Sequence, residues 1–484
     1  MKKIIALFLG IIMIFSFSGC FSLPEDYEDI DNNAADSAEE ETKKPNDEKG
    51  DAEDAHLVAE KIEEVELDNV RWDEISGYCE KDGEYAIVSC EGEVSENTFK
   101  LIENIAEDYY AVSTETTELT TEPESRNVFG VADVDGDVIV PEEYARIKYL
   151  NDRFFMVYTV TETTENKENA ILYLTDNAFS LDAAEGDILY AGKWEIYDVE
   201  EDELVPDVSG NTNVSVSAYE NIICVDYDEY YKADGTELDD AEVFLNGCYA
   251  IEEDENIIVY DENYEKLFEG DNGLYIYDST ESSPDYFIAD DNDSSGEFII
   301  DRKGKKVSEE IELNIYDVIF DKYIVVSDDG NYGLYDFDGE EIIACEYKDI
   351  EFDDQFGIEI LALETEDDVT YVYCDGTEIA KADVTEDTYL DGMVFAAPDG
   401  DDDVYLNLST GELDIKSVIR MYSINWCVET RKEDDDGTKQ GVIDVITGEN
   451  IIDDKYYDII ALGDYVVCSD GDGMYTFYEL TAEY

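Results

Sequence analysis

The chain has 484 residues, of which 128 are acidic and 30 basic, giving a formal net charge of −98 at pH 7. A surface of that sign repels nucleic acid and anionic lipid headgroups, which removes polyanions from the partners to consider. Hydrophobic residues still make up 44% of the chain and tyrosines number 37, unlike aromatic-poor acidic chains that stay unfolded, so a large buried core is expected.

The first element in chain order is an address. Lys2 and Lys3 precede an apolar run over 4–17, and small residues Ser18 and Gly19 precede Cys20. A positive start, a short apolar core and small residues before a cut site make a signal peptide. The run is too short for a spanning helix, which needs about 20 apolar residues. This segment resembles the bacterial lipobox, whose first mature residue is cysteine, with Phe17 standing where that family prefers Leu. The resemblance implies removal of residues 1–19, lipidation of Cys20, and a chain held on the cell membrane facing outside the cytoplasm. Two or three acyl chains anchor stably where one binds only marginally.

Residues 20–53 follow as the lipidated cysteine and an acidic tether with almost no apolar side chains, extended by its own repulsion. Over 54–74 the expectation is a short helix or lead-in segment, because Leu57, Lys61, Ile62 and Val65 have partly helical spacing.

From 75 to 484 the chain repeats. A glycine turn follows a short apolar strand at Gly304, Gly339, Gly376, Gly411 and Gly448, at separations of 35, 37, 35 and 37 residues, a period of about 36. Asp precedes the turn glycine by three residues in Asp133/Gly136, Asp301/Gly304 and Asp336/Gly339, and Tyr follows it by eight in Tyr144, Tyr347 and Tyr456. Segments rich in Val or aromatics, such as 154–159, 322–330 and 464–473, read as the close of each unit. Alternating apolar and polar residues mark half-buried strands, and Asp-Gly or Thr-Gly between them suits a tight hairpin. Weaker copies lie at 84–94, 193–205, 230–238, 256–268, 297–307, 369–379 and 403–413, making ten units with the strong ones at 130–147, 333–350 and 441–460. The segment 473–480 either starts an eleventh or completes another unit's sheet. Thr- and Glu-rich segments at 113–127 and 159–169 read as hairpin extensions or exposed loops.

These units resemble the WG-containing repeat, whose core runs Trp-Gly-Leu-Ile-Asp-x-x-Gly, then an apolar pair and Pro-x-Tyr. Residues 331–347 match best, with Tyr332 in place of Trp; 130–144 keeps the ending from Pro141 to Tyr144, and Trp194 stands near a repeat start. The resemblance covers most of 75–480 and implies a binding or scaffold unit without shared catalytic residues. The expected fold is all-β: tandem hairpin repeats of about 36 residues forming a β-propeller-like array, or alternatively an open β-repeat stack or solenoid. Ten units exceed the usual 4 to 8 blades, which implies partial sheets or two subdomains.

Chemistry-bearing motifs are few. The sole histidine, His56, lies beside the tether, so imidazole chemistry within the repeats is removed. No phosphate-binding glycine loop, paired CxxC or nucleophile elbow occurs, and no catalytic residue is nominated. Beyond Cys20 there are eight cysteines; Cys79 and Cys90 form the favoured disulfide pair, the others reading as small buried hydrophobes. Asp291, Asp293, Ser295 and Gly296 have a spacing that can wrap a hard cation, so calcium is one reading of this loop and an ordinary acidic turn the other; no further cofactor is expected. The same two readings apply to Asp133, Asp135 and Asp137, and to Asp399, Asp401, Asp402 and Asp403. The function expected is a cell-envelope binding or scaffold module for a protein, peptide or glycan. Its alternative is a carboxylate-dependent envelope enzyme acting on glycans.

Overall fold

The computed structural model describes residues 56–483 except 74, 116–126, 166–169, 175–178, 184–187, 207, 209–215, 227–228, 240, 245, 254–255, 271–273, 280–281, 292–295, 354–358, 385–387, 392–393, 400–401, 421–426 and 435–436. Among the described residues every regular element is a β-strand, and every strand pairing is between antiparallel neighbours in small sheets. The strands follow one another in chain order across the sheets, as expected for tandem hairpins, except where His56–Glu66 pairs with Met474–Glu483 and where Phe154–Glu165 pairs with Ile188–Asp198.

The sheet of Asn314–Ile319, Tyr323–Asp328, Asn331–Asp336 and Glu341–Tyr347 is the template. Its second strand buries Ile324, Val325 and Val326 consecutively. Neighbouring sheets cover both of its faces, so the strand reads as an apolar run instead of an alternation. Between the third and fourth strands the Gly339 N–H donates to the Asp336 carbonyl at 3.1 Å, with Gly339 at φ 75°, where a side chain would be strained. The Asp336 Oδ1 accepts the Glu340 N–H at 2.8 Å, which ties the turn from inside. Gly333 explains the other recurrent glycine. It faces a register shift in the fourth strand, and a Cβ there would lie 2.7 Å from the Ile343 carbonyl oxygen and 2.8 Å from the Cys345 nitrogen.

That hairpin recurs at each of the ten places expected. Gly136, Gly304, Gly376, Gly411 and Gly448 all take positive φ at its turn. Where the fourth strand is short it shrinks to single bridges, Val88 to Val94, Tyr231 to Glu237 and Ile300 to Lys306. The seven-stranded sheet holds two units, joined where Ser417 pairs with Thr430. Phe154–Glu165 and Ile188–Asp198 extend one hairpin well past its sheet, which places the Thr-rich segment from 159 in a strand.

Two expectations are corrected. The helix expected within 54–74 is instead the strand His56–Glu66, followed by Asp68–Trp72. Its partner is Met474–Glu483, with Leu57 opposite Ala482 and Val65 opposite Tyr475. Pairing with a distant edge and burial of Leu57 override the weak helical spacing. The Val-rich segments at 154–159, 322–330 and 464–473 do not close units; they carry the buried second strands Phe154–Glu165, Tyr323–Asp328 and Tyr465–Ser469. The last sheet is thus Asp458–Leu462, Tyr465–Ser469 and Met474–Glu483, with His56–Glu66 as its fourth strand. It makes an eleventh unit whose missing strand comes from the front of the chain.

The core lies between sheets. Ile319, Val325 and Leu334 pack with Ile350, Leu361 and Leu363 of the next unit, while Ile324 and Val326 pack with Ile288 and Ile299 of the preceding one. The same alternation continues along the chain, and Leu67, Cys79, Ala86 and Val88 of the first unit share a cluster with Leu462, Val467 and Phe477 of the last. The succession therefore closes on itself. Residues 52–484 form one compact unit, a β-propeller-like ring and not an open stack.

Candidate binding surface

The carboxylates singled out three residues before a turn glycine, Asp133, Asp301 and Asp336, serve the hairpins. Asp133 Oδ1 accepts the backbone N–H groups of Asp135 at 3.1 Å and Asp137 at 2.9 Å. Asp301 does the same for Lys303 and Lys305, both at 2.9 Å. Asp261 does so for Asn263 and Glu265, and Asp470 for Asp472 and Met474. The carboxylate three residues before the turn is thus an internal acceptor that replaces water for two backbone donors. Burial raises the Asp133 carboxyl above the usual range, opposed by the N–H groups of Asp137 and Asp135.

Asp291 ends the strand Tyr286–Asp291, while Asp293 and Ser295 lie outside the described residues, as do Cys20 and Asp401. Among the described residues no group of three or more His, Cys, Asp or Glu side chains converges as a metal site would require. Cys79 lies in the hairpin Gly77–Lys81 and Glu84–Val88, where its register partner is Ala86. Cys90 falls beyond that ladder, so the pair is not placed across the strands as a hairpin disulfide would need, and no disulfide joins the eight cysteines described. Cys79 is buried and Cys90 packs against the same cluster. Burial raises the thiols of Cys79, Cys345 and Cys427, and raises that of Cys248 to about 12 against the opposing Arg302 charge.

A cavity of about 540 Å³ lies beside the template sheet, against the linker from the preceding unit, and Glu310, Glu312, Asp328 and Glu341 contribute to its wall. Tyr335 donates to Glu341 at 3.1 Å there. Four carboxylates in one wall disfavour an anionic occupant.

The surface feature that spacing alone did not mark is aromatic. The three most exposed large hydrophobic side chains among the described residues are Tyr316 at 61%, Tyr275 at 54% and Tyr277 at 50%. Tyr275 and Tyr277 lie on Leu274–Ser279, and Tyr316 on Asn314–Ile319. These are the first, edge strands of two consecutive units. In both, the register shifts at the tyrosine, between Ile276 and Asp278 and between Ile315 and Asp317. A bulge turns the extra side chain out of the ladder. Tyr277 donates its hydroxyl to Asp290, and that hydrogen bond, with slight burial and then the Asp290 charge, raises the phenol to about 12. Tyr316 meets Tyr332 edge to face at 5.2 Å. The available signal was the doubled Ile-Tyr-Asp at 276–278 and 315–317.

Fold and surface together define a β-propeller-like ring with acidic turns and an outward tyrosine face. No protein-family model matches the chain, and no curated protein matches it. Among solved structures it is similar to a eukaryotic initiation factor, at 10% identity over 85% of this chain and 98% of that one, with a TM-score of 0.29. It is also similar to Hsv2 of Kluyveromyces lactis, at 10% identity over 66% and 97%, with a TM-score of 0.23. A third is the Cps50 (Swd1) β-propeller domain of Myceliophteria thermophila, at 10% identity over 49% and 95%, with a TM-score of 0.21. All three scores are low, and the fold assignment stands on the strand pairing and core packing described above.

Proposed function

We propose that this chain is a lipid-anchored binding or scaffold module of the cell envelope. Residues 1–19 direct export, Cys20 carries the lipid, the acidic segment to 53 is the tether, and the ring presents its surface to a partner outside the cytoplasm. The observation that carries the reading is the division of labour in the ring: turn carboxylates such as Asp133, Asp301 and Asp336 are spent on the scaffold, while tyrosines are turned outward on edge strands. Tyrosine is a rigid amphipathic contact residue that loses little entropy on binding. The WG-like pattern around Gly333 and Gly339 supports the same reading, since such repeats act as binding units.

Growth of cells making the full chain with a labelled fatty acid tests the anchor. Label is expected in the membrane fraction of the wild type and absent from a Cys20→Ser variant; equal labelling of both would refute lipidation at this residue. Chemical cross-linking on intact cells tests the module: a discrete cross-linked species rich in basic residues is expected, and none is expected for an enzyme acting on glycans.

A further inference from the structure

We propose that the face made by Tyr275, Tyr277 and Tyr316, with Asp290 and Glu297 beside them, docks an extended peptide segment bearing lysine or arginine side chains. This rests on the binding-module reading and gives it a place and a partner class.

The tyrosines are the most exposed large apolar groups described, and they fall on the first, edge strands of two consecutive units, with Glu297 between them, accepting the Ile315 N–H and acting by its charge on Tyr277. Large exposed aromatic groups gathered on neighbouring units mark an interaction site. Carboxylates are interleaved with the rings. Asp290 takes the Tyr277 hydroxyl, and Glu297 Oε2 accepts the Ile315 N–H at 2.6 Å, setting a carboxylate at the start of the strand that carries Tyr316. Rings with carboxylates beside them suit a cation on a long aliphatic stem: the stem packs on the ring, the charge meets the π face or the carboxylate. The same chemistry already operates inside the ring, where Lys306 lies over Phe298 at 4.0 Å and Lys232 over Tyr264 at 4.6 Å. A net charge of −98 then draws a basic segment in and excludes acidic competitors. A neutral glycan could stack on the same rings, but it would gain nothing from the carboxylates or from the overall field.

The test is fluorescence anisotropy with the full chain in detergent and a labelled ten-residue peptide alternating Lys and Ala, repeated across a salt series. Tyr277→Ala combined with Tyr316→Ala is expected to weaken binding at least tenfold. Asp290→Asn alone should weaken it several-fold, and Tyr277→Phe, which keeps the ring, should stay within twofold. Tyr85→Ala, an exposed tyrosine of another unit, should leave binding unchanged. Circular dichroism confirms that each variant is folded. Equal affinity of the double variant and the wild type would show attraction to the polyanion as a whole and overturn the site, as would no binding of the peptide. A neutral hexasaccharide whose binding falls in these variants while peptide binding does not would overturn the partner class. If the cross-linked envelope partner is retained by the double variant, this face is wrong while the binding-module reading stands.

Discussion

The carboxylate of Asp444 accepts a hydrogen bond at 3.3 Å from the backbone N–H of Leu57, 387 residues earlier in the chain. Asp444 is fully buried, and it also accepts the Ile446 N–H and the Thr447 hydroxyl, both at 2.8 Å. One side chain thereby ties the turn of the tenth unit to the strand that completes the eleventh. Replacing it with alanine leaves three donors without their acceptor. Asp444→Ala is expected to lower stability by about 1–3 kcal/mol and to speed proteolysis ahead of residue 67. Urea unfolding and limited digestion measure the two effects; a variant matching the wild type in both would remove the proposed tie.

Arg153 does similar work between the third and fourth units. Its guanidinium donates to Asp198 through Nε at 2.9 Å and Nη2 at 2.7 Å, and to Asn221 through Nη1 at 2.9 Å. Asp198 is 1% exposed, so Arg153→Met strands a buried charge and should cost about 3–5 kcal/mol. The double change Arg153→Met with Asp198→Leu should cost less than the two singles added together. Strict additivity in denaturant unfolding would mean that the pair is not coupled.

Two glycines in the same unit should respond differently to alanine. At Gly333 the new methyl meets the Ile343 carbonyl and the Cys345 backbone and sulfur, all within 2.8 Å, so the third and fourth strands must separate. At Gly330 nothing lies within 4 Å and only the positive φ of 85° resists. Gly330→Ala is expected to cost about 1 kcal/mol, and Gly333→Ala clearly more, with disturbed near-ultraviolet dichroism from Tyr332 and Tyr335. Comparable melting of the two variants would contradict the close approach.

Stability should rise on mild acidification. Burial raises the carboxyls of Asp108, Glu220, Asp444 and Asp464, with Asp152 and Glu107 adding to the effect at Asp108, and Glu262 and Asp152 at Glu220. Each folded-state value lies above its unfolded one, so the folded form holds more protons as pH falls through the raised values. The gain is complete below the ordinary carboxylate range and is lost again as pH rises. Melting temperature is therefore expected to increase as pH falls from neutral towards the ordinary carboxylate value, and Asp108→Asn should raise it at neutral pH while flattening its slope. A melting temperature that falls over this interval would contradict the assignment.

The hairpin was legible because its determinants are local. Gly339 needs positive φ, Asp336 bonds its own turn, and both lie within four residues of each other. The second strands were misplaced within the unit because Val325 and Val326 are covered from both sides, which erases the alternation that assigns a face. The strand His56–Glu66 was unreadable as a strand because its reason lies in Met474–Glu483. Cys79 and Cys90 looked like a hairpin pair by spacing, yet the register sets Cys79 against Ala86. The tyrosine face escaped notice since Tyr277 and Tyr316 are ordinary strand residues until a bulge turns them outward.

Closure by a strand from the front of the chain sets the order in which the ring can be finished. Among the described strands His56–Glu66 is made first and its mate Met474–Glu483 last, so this long-range pairing can form only once the ring is otherwise complete in sequence. Such long-range pairing slows folding. It also acts as a completeness check: a chain cut short before residue 474 lacks the mate of His56–Glu66 and leaves both ends of the succession unsealed.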